Sequence, residues 1–267
     1  AQIRISYPYF QIGVWNNRMK KKLVEKFNID PMKIFVTGCS HFSYLKVSQK
    51  IEKSEFDKLF KIDSENQFVV FYSSAGLIIE NEFLIIDLLK KNLMKISSNF
   101  KIIIRKNPMD NTNSLEKKFL NDKNIFINVP KWEFDYINGI NYANYEDLIE
   151  YRSILYYSNI CVNIPSTVSL DCAILKKPVI NLCFDIDNMN VLNNNKKIIG
   201  FWNAPFYKSF HNMDFIFPSF NEKELSDNLY LLFNNSSKFD DYEKLIKKIL
   251  SYQPSNMNSK SVNFILN

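Results

Sequence analysis

The sequence predicts an α/β domain built on a Rossmann-like, doubly wound parallel sheet, preceded by the remnant of a first α/β domain. Three observations predict it. From Gln67 onward, short apolar runs alternate with segments of helical periodicity. The runs are apolar at successive positions, as in strands buried on both faces. Most of them end in small polar residues, a proline or a cation, where each strand of a parallel sheet hands over to its helix.

The first residues differ from the rest. "RISYPYFQIGVW" is strand-like, "NNRMKKKLVEKFNI" helical, and "KIFVTG" (33–38) a strand that breaks at Gly38. This unit is too small to stand alone, and residues 1–62 read as the end of another, amino-terminal α/β domain with a linker helix over 48–61. "QFVVFYSS" (67–74) opens the main domain. Residues 81–96 place Phe83, Ile86, Leu89 and Leu93 on one helix face. "KIIIRKNP" (101–108) is a strand stopped by Pro108, "SLEKKFLND" (114–122) a helix with Ser114 as its cap, and "NIFINV" (124–129) a strand. Residues 144–158 are helical and "NICVNI" (159–164) is a strand. A short helix (167–176) and the strand "PVINLCF" (178–184) come next. A long polar loop containing Asn193–Asn195 and helices at 221–234 and 239–252 complete the chain. The main domain is expected over 63–236, with 237–267 a terminal helix and tail that returns to the first domain.

The totals narrow the function classes. Of 267 residues, 46% are hydrophobic and 15% aromatic, which supplies a packed core and excludes global disorder. Only 5 glycines occur, and no GxGxxG or GxxxxGKS phosphate loop is present. The net charge of +6 suits anionic ligands, but the clusters Lys20–Lys22 and Lys247–Lys248 lie in amphipathic patterns and read as solvated helix faces. Without a basic–aromatic motif, nucleic acid is not an expected partner. Cys39, Cys161, Cys172 and Cys183 lack CxxC spacing and read as reduced, mostly buried thiols. With 2 histidines, a His-based metal site is not expected. No apolar run reaches the roughly 18–20 residues that span a bilayer. The chain starts at Ala1 rather than Met, which leaves its amino end open.

One stretch carries a candidate site. In "NIPSTVSLD", Pro165 ends a strand, Ser166 is placed to cap a helix, and Thr167 and Asp171 share a helix face. The unpaired N–H groups at such a helix start form an anion site when they lie at the carboxyl edge of a parallel sheet. A phosphate beside Ser166 and Thr167 would bring an attached ribose to the Asp171 carboxylate. Taken alone, the local pattern favours ordinary capping, because Ser caps are common. Two further loops at the same edge add to the binding reading: Arg105 and Lys106 after "KIII", and Ser73, Ser74 and Gly76 after "QFVVFY".

Here the sequence resembles a known family. "VNIPSTVSLDCAILKKPVINLCFD" is similar to the donor-binding segment of GT-B-fold glycosyltransferases, in particular bacterial surface-carbohydrate transferases and the CDP-glycerol glycerophosphotransferase group. "IIIRKNPMDN" resembles their strand ending in Arg-Pro-His-Pro. Residues 14–45 resemble the last strand–helix–strand of their first domain. The resemblance implies that the chain is mainly the carboxyl-terminal half of a GT-B fold. It implies that Ser166 and Thr167 bind a donor diphosphate, Asp171 the ribose, Arg105 and Lys106 the phosphate charge, and Ser74 with Gly76 the first loop. Asn107 stands where the family has His, Lys176 where it often has a helix-ending Gly, and "PFYKSFH" where it often has His-Tyr. Trp202, Phe206 and Tyr207 read as core rather than as a base-stacking platform.

The activity implied by the resemblance is transfer of a sugar or related group from a nucleotide-activated donor to a surface polysaccharide or glycan acceptor. No metal or other cofactor is expected, because a helix end and cations neutralise the leaving diphosphate. No catalytic residue is assigned; Glu133, Asp135 and Asp185 are carboxylates without a motif. Partners would be the donor, a glycan or lipid-linked acceptor, and a first domain or partner chain. The location would be cytoplasmic, compatible with peripheral association at the inner membrane face. A non-catalytic nucleotide-sugar-binding subunit and a nucleotide-sugar 2-epimerase are the alternatives.

Overall fold

The computed structural model describes residues 11–47, 49–63, 66–74, 78–136, 140–192, 197–234, 239 and 241–244. The chain divides into two compact units, Ala1–Ser48 with Glu243–Asn267, and Gln49–Tyr242. Of the predicted helix over 239–252, Phe239 is described as non-helical and Asp241–Lys244 as helical, and the Asn193–Asn195 run lies outside the described residues.

In the first unit, β1 (Ile12–Val14) and β2 (Ile34–Val36) pair in parallel, Ile12 opposite Ile34. Helix α1 (Asn17–Phe27) joins them, and α2 (Ser40–Val47) comes after β2. The side chain of Asn16 accepts the Met19 N–H at 2.9 Å and caps α1. Asn28, at φ 50°, closes the helix in the left-handed conformation that Asn tolerates. Trp15 and Phe42 meet edge to face, with ring centres 5.5 Å apart.

The second unit opens with α3 (Lys53–Phe60), the expected linker helix. It is part of the packed unit. Phe56 and Phe60, four apart on one helix face, meet Phe68, Tyr157 and Phe126 at 4.8–5.7 Å. Next come β3 (Gln67–Tyr72), β4 (Ile79–Glu80), α4 (Phe83–Ile96), β5 (Phe100–Arg105), α5 (Ser114–Phe119) and β6 (Ile125–Asn128). They lead to β7 (Trp132–Asp135), β8 (Ile140–Ala143), α6 (Tyr145–Tyr157), β9 (Ile160–Asn163), α7 (Val168–Ile174) and β10 (Val179–Leu182). Last are β11 (Asn190–Val191), α8 (Ile199–Trp202), β12 (Ile216–Ser219) and α9 (Glu222–Asn234).

Six of these strands form one parallel sheet in the order β12-β10-β9-β3-β5-β6. Numbered by their own succession, the six run 3-2-1-4-5-6 when counted outward from the central pair, the doubly wound order. Val69 and Phe71 of β3 join Ile86, Leu89 and Leu93 of α4 and Leu225 and Leu229 of α9 in one core. Phe68, on the opposite face of β3, packs on Phe56. Both faces of the sheet are therefore covered, which is why its strands read as unbroken apolar runs.

Candidate functional site

The strand order reverses between β3 and β9, and in open α/β sheets the crevice at such a reversal is where ligands bind. Tyr72, the last residue of β3, lies opposite Arg105 on one side and Asn163 on the other. The loops that begin at Ser73, Lys106 and Ile164 thus leave three adjacent strands side by side. The sequence places these loops at one edge, and the register agrees.

The loop before α7 is built on a closed ring of neutral hydrogen bonds. Asn163 donates to the Ser166 hydroxyl at 2.9 Å and, at 3.4 Å, to that of Ser169. Ser169 bonds the Tyr207 hydroxyl at 2.7 Å, Tyr207 donates to Asn181 at 2.6 Å, and Asn181 donates back to Asn163 at 2.8 Å. Asn163, Ser169, Asn181 and Tyr207 are all at most 1% exposed. Buried polar groups satisfied in this way hold a single geometry. Ser166 is consequently not the helix cap that its position predicts. Thr167 occupies the cap position without a side-chain cap bond, while Ser166 is turned inward by Asn163. Thr167 is exposed at the rim and Ser166 half-buried. At the other end of α7, Lys176 adopts φ 55°, a left-handed conformation that Gly takes at no steric cost.

Asp171 is 8% exposed and accepts the Tyr151 hydroxyl at 2.5 Å. Burial, reinforced by the Asp171 charge, holds the Tyr151 phenol well above its ordinary pKa, so it remains a donor. The Tyr151 ring packs edge-on against Tyr72 and lies 5.4 Å from the Arg105 guanidinium. Arg105 is 5% exposed and bound within the fold, to Asp147 at 2.6 Å and to the Asn128 side chain. Asp147 also accepts the Lys131 N–H at 2.9 Å, and Asn128 donates to Glu150 at 3.1 Å. Lys106, 3% exposed, turns into its own loop, where it bonds Glu116 and the Thr112 carbonyl at 2.6 Å each. Both cations that the sequence assigned to a ligand are thus paired internally. Their charges are balanced by these carboxylates inside the fold.

The first loop holds the residue that sequence reasoning missed. Glu82 is 6% exposed and accepts the Ser73 hydroxyl at 2.5 Å, the Ser74 N–H at 2.7 Å and the Ser74 hydroxyl at 2.8 Å. Glu82 stands at the cap position of α4 without a side-chain bond to that helix, and both the N–H and the hydroxyl of Ser74 are committed to its carboxylate. Gly76 lies outside the described residues. The signal is present as a Glu preceding a helix, but it reads there as an ordinary dipole residue.

Burial raises the Glu82 pKa above its ordinary 4.5, against the three hydrogen bonds that lower it. The folded protein then binds this proton more tightly than the unfolded chain does. Stability from this group is therefore lost as pH rises from 4.5 through the folded value. The stability of Glu82→Gln relative to wild type is expected to increase over that rise. Urea midpoints at several pH values read it, and a constant difference would show that Glu82 does not titrate abnormally.

The remaining candidates are structural in character. Trp202 is buried and stacks on His211 at 4.1 Å, and His211 Nε2 lies 2.8 Å from the Trp202 carbonyl. Phe206 is exposed. Asp185 accepts the Ile198 N–H, and Glu133 accepts the Tyr142 hydroxyl on the exposed β7–β8 hairpin. The four cysteines are free thiols. Among the described residues no group of three or more His, Cys, Asp or Glu could hold a metal ion, and no helix is long and apolar enough to cross a membrane.

No family model matches the sequence, and no curated protein matches it. Solved structures do. A variant of the wall teichoic acid polymerase TagF superposes with a TM-score of 0.59 at 13% identity, over 97% of this chain and 57% of that one. The Methanocaldococcus jannaschii UDP-GlcNAc 2-epimerase, in complex with UDP-GlcNAc and UDP, gives 0.54 at 16%, over 96% and 60%. A putative UDP-N-acetylglucosamine 2-epimerase from Listeria monocytogenes gives 0.53 at 13%, over 92% and 56%. The chain spans a little over half the length of each. With its six-stranded parallel sheet and these likenesses, the chain has a Rossmann-like, GT-B-like fold.

Proposed function

We propose that this chain binds a nucleotide-activated donor in the crevice between the β3 and β9 loops, and serves transfer of its sugar or related group to a glycan or lipid-linked acceptor. One observation carries the reading: the strand order reverses where Thr167 and Ser166 open α7, with Asp171 one turn further on. The exposed start of α7 and the Ser166–Thr167 hydroxyls take the diphosphate, and Asp171 takes a ribose hydroxyl. Arg105, through the Tyr151 ring, holds Asp171 in place. The acceptor and the group that deprotonates it belong to a more complete first domain or a partner chain. Free thiols fit a cytoplasmic location.

A thermal-shift panel of UDP, CDP, GDP and CMP tests the reading. At a concentration of about 100 times Kd, a native-state ligand adds about 2.7 kcal/mol. For a protein of this size that is a rise of roughly 5–10 °C in Tm. One nucleoside diphosphate is expected to give it, and no shift from any of the four would overturn the assignment. The likeness to two epimerases favours a second reading, 2-epimerisation of a nucleotide sugar. Product analysis separates the two, since a transferase passes the group to an acceptor and frees the nucleotide, whereas an epimerase yields the epimeric sugar with no acceptor consumed.

A further inference from the structure

A second cavity lies at the opposite end of the sheet. Its volume is about 640 Å³, and Phe60, Ile62, Ile125 and Phe126 contribute to its walls. Lys101 and Ile125, which line it, stand at the beginnings of β5 and β6, whereas Arg105 ends β5. Four residue steps of strand, about 13 Å, therefore separate this cavity from the crevice level.

Its charges are unbalanced. Lys58, Lys61, Lys101 and Lys123 line it together with Asp57, Asp63 and Asp122. Two of the three carboxylates are taken by lysines outside the lining: Asp57 by Lys53, and Asp122 by Lys90 at 2.5 Å. Among the described residues, the Asp63 side chain receives only the neutral Asn66 amide, at 3.2 Å. Four ammonium groups thus share one uncompensated carboxylate. Lys101 donates to the Lys123 backbone carbonyl, which ties the β5 and β6 sides together without cancelling charge. Lys58, Lys61 and Lys123 have no ion pair among the described residues, and all three are exposed.

A mostly polar hollow in the volume range of small-molecule sites, rimmed by uncompensated ammonium groups, suits a compact anion. A lysine binds phosphate as a mobile point charge, so several lysines around one hollow suit a ligand carrying more than one phosphate group. We propose that this cavity is a second binding site, independent of the crevice, for a small molecule bearing two or more phosphate groups.

Calorimetric titration with inorganic tripolyphosphate tests it, in a Thr167→Glu background that places a negative charge at the crevice rim. The background protein is expected to bind tripolyphosphate at about one site, with affinity falling as salt rises. Adding Lys58→Glu, Lys61→Glu and Lys123→Glu is expected to weaken it at least tenfold. Lysine-to-arginine changes at the same positions should retain it. Lys21→Glu with Lys22→Glu, on the first unit, should leave it unchanged. The substituted side chains are exposed, and far-ultraviolet circular dichroism verifies that each variant is folded. Absence of tripolyphosphate binding in the background protein would overturn the proposal. So would an equal loss from the Lys21/Lys22 pair, which would mean that only bulk charge matters. Neither result bears on nucleotide binding at the crevice, which the diphosphate panel reads separately.

Discussion

Asp147→Ala is expected to be the most damaging single substitution in the second unit. It would cost about 3–5 kcal/mol, the usual cost of removing one partner from a buried ion pair. Asp147 is 1% exposed and Arg105 5%, and they meet at 2.6 Å. Without the carboxylate, the guanidinium keeps, among the described residues, the Asn128 side chain and the Tyr151 ring, neither of which carries a countercharge. Arg105→Met is expected to cost less. The orphaned carboxylate would still accept the Lys131 N–H and lie in the first turn of α6, where the dipole favours a negative charge. The double variant Arg105→Met with Asp147→Leu should recover much of the loss, because no charge is then left buried. Urea denaturation of the four proteins gives the coupling energy directly. A loss below about 1 kcal/mol for Asp147→Ala would put the pair in the class of solvated ion pairs, and Arg105 would then regain its claim to a ligand.

The same pair marks where the sequence stops being legible. "KIII" before Arg105 reveals a strand, and the strand's end reveals an edge position. Nothing local reveals that Asp147, 42 residues later, will sit against the guanidinium. A cation at a sheet edge therefore reads as free, and a carboxylate in the first turn of a helix reads as a dipole residue. The central strands are readable because burial on both faces leaves unbroken apolar runs such as "FVVFY" and "ICV". Strand β12, "IFPS", is not readable: it has four residues and carries Pro218, which an edge strand tolerates and a central one does not. The β7–β8 hairpin escapes for the opposite reason. Its Trp132, Phe134 and Tyr142 are exposed, so neither burial nor a clean alternation distinguishes it. At the site, the Pro-Ser-Thr turn is legible, but the cap lies one residue beyond the Ser that the pattern selects. Its placement depends on the amide of Asn163, whose own orientation is fixed by Asn181 from the next strand. Such rings of long-range side-chain bonds leave no periodicity to read.

The larger functional effect is expected at Asp171. Asp171→Ala should weaken the stabilising nucleoside diphosphate by about 10–100-fold, the equivalent of a hydrogen bond to a charged group worth about 1.5–3 kcal/mol. A carboxylate offers about four acceptor positions, so donation from Tyr151 does not exhaust it. Tyr151→Phe is the decisive companion. It removes the hydroxyl while leaving the ring between Tyr72 and Arg105. If Asp171 binds the ribose, Tyr151→Phe should weaken the nucleotide by only a few-fold, through looser positioning of the carboxylate. Stability distinguishes the two variants further. Asp171→Ala takes the carboxylate acceptor from the Tyr151 hydroxyl in a buried setting, at a cost of about 1–3 kcal/mol, whereas Tyr151→Phe removes donor and demand together. Titration of the nucleotide against the three proteins, with urea midpoints alongside, separates ligand contact from scaffold. Equal stability losses with undiminished nucleotide affinity in both variants would make Asp171 a scaffold residue, and the ribose would have to be held elsewhere along the β9 loop.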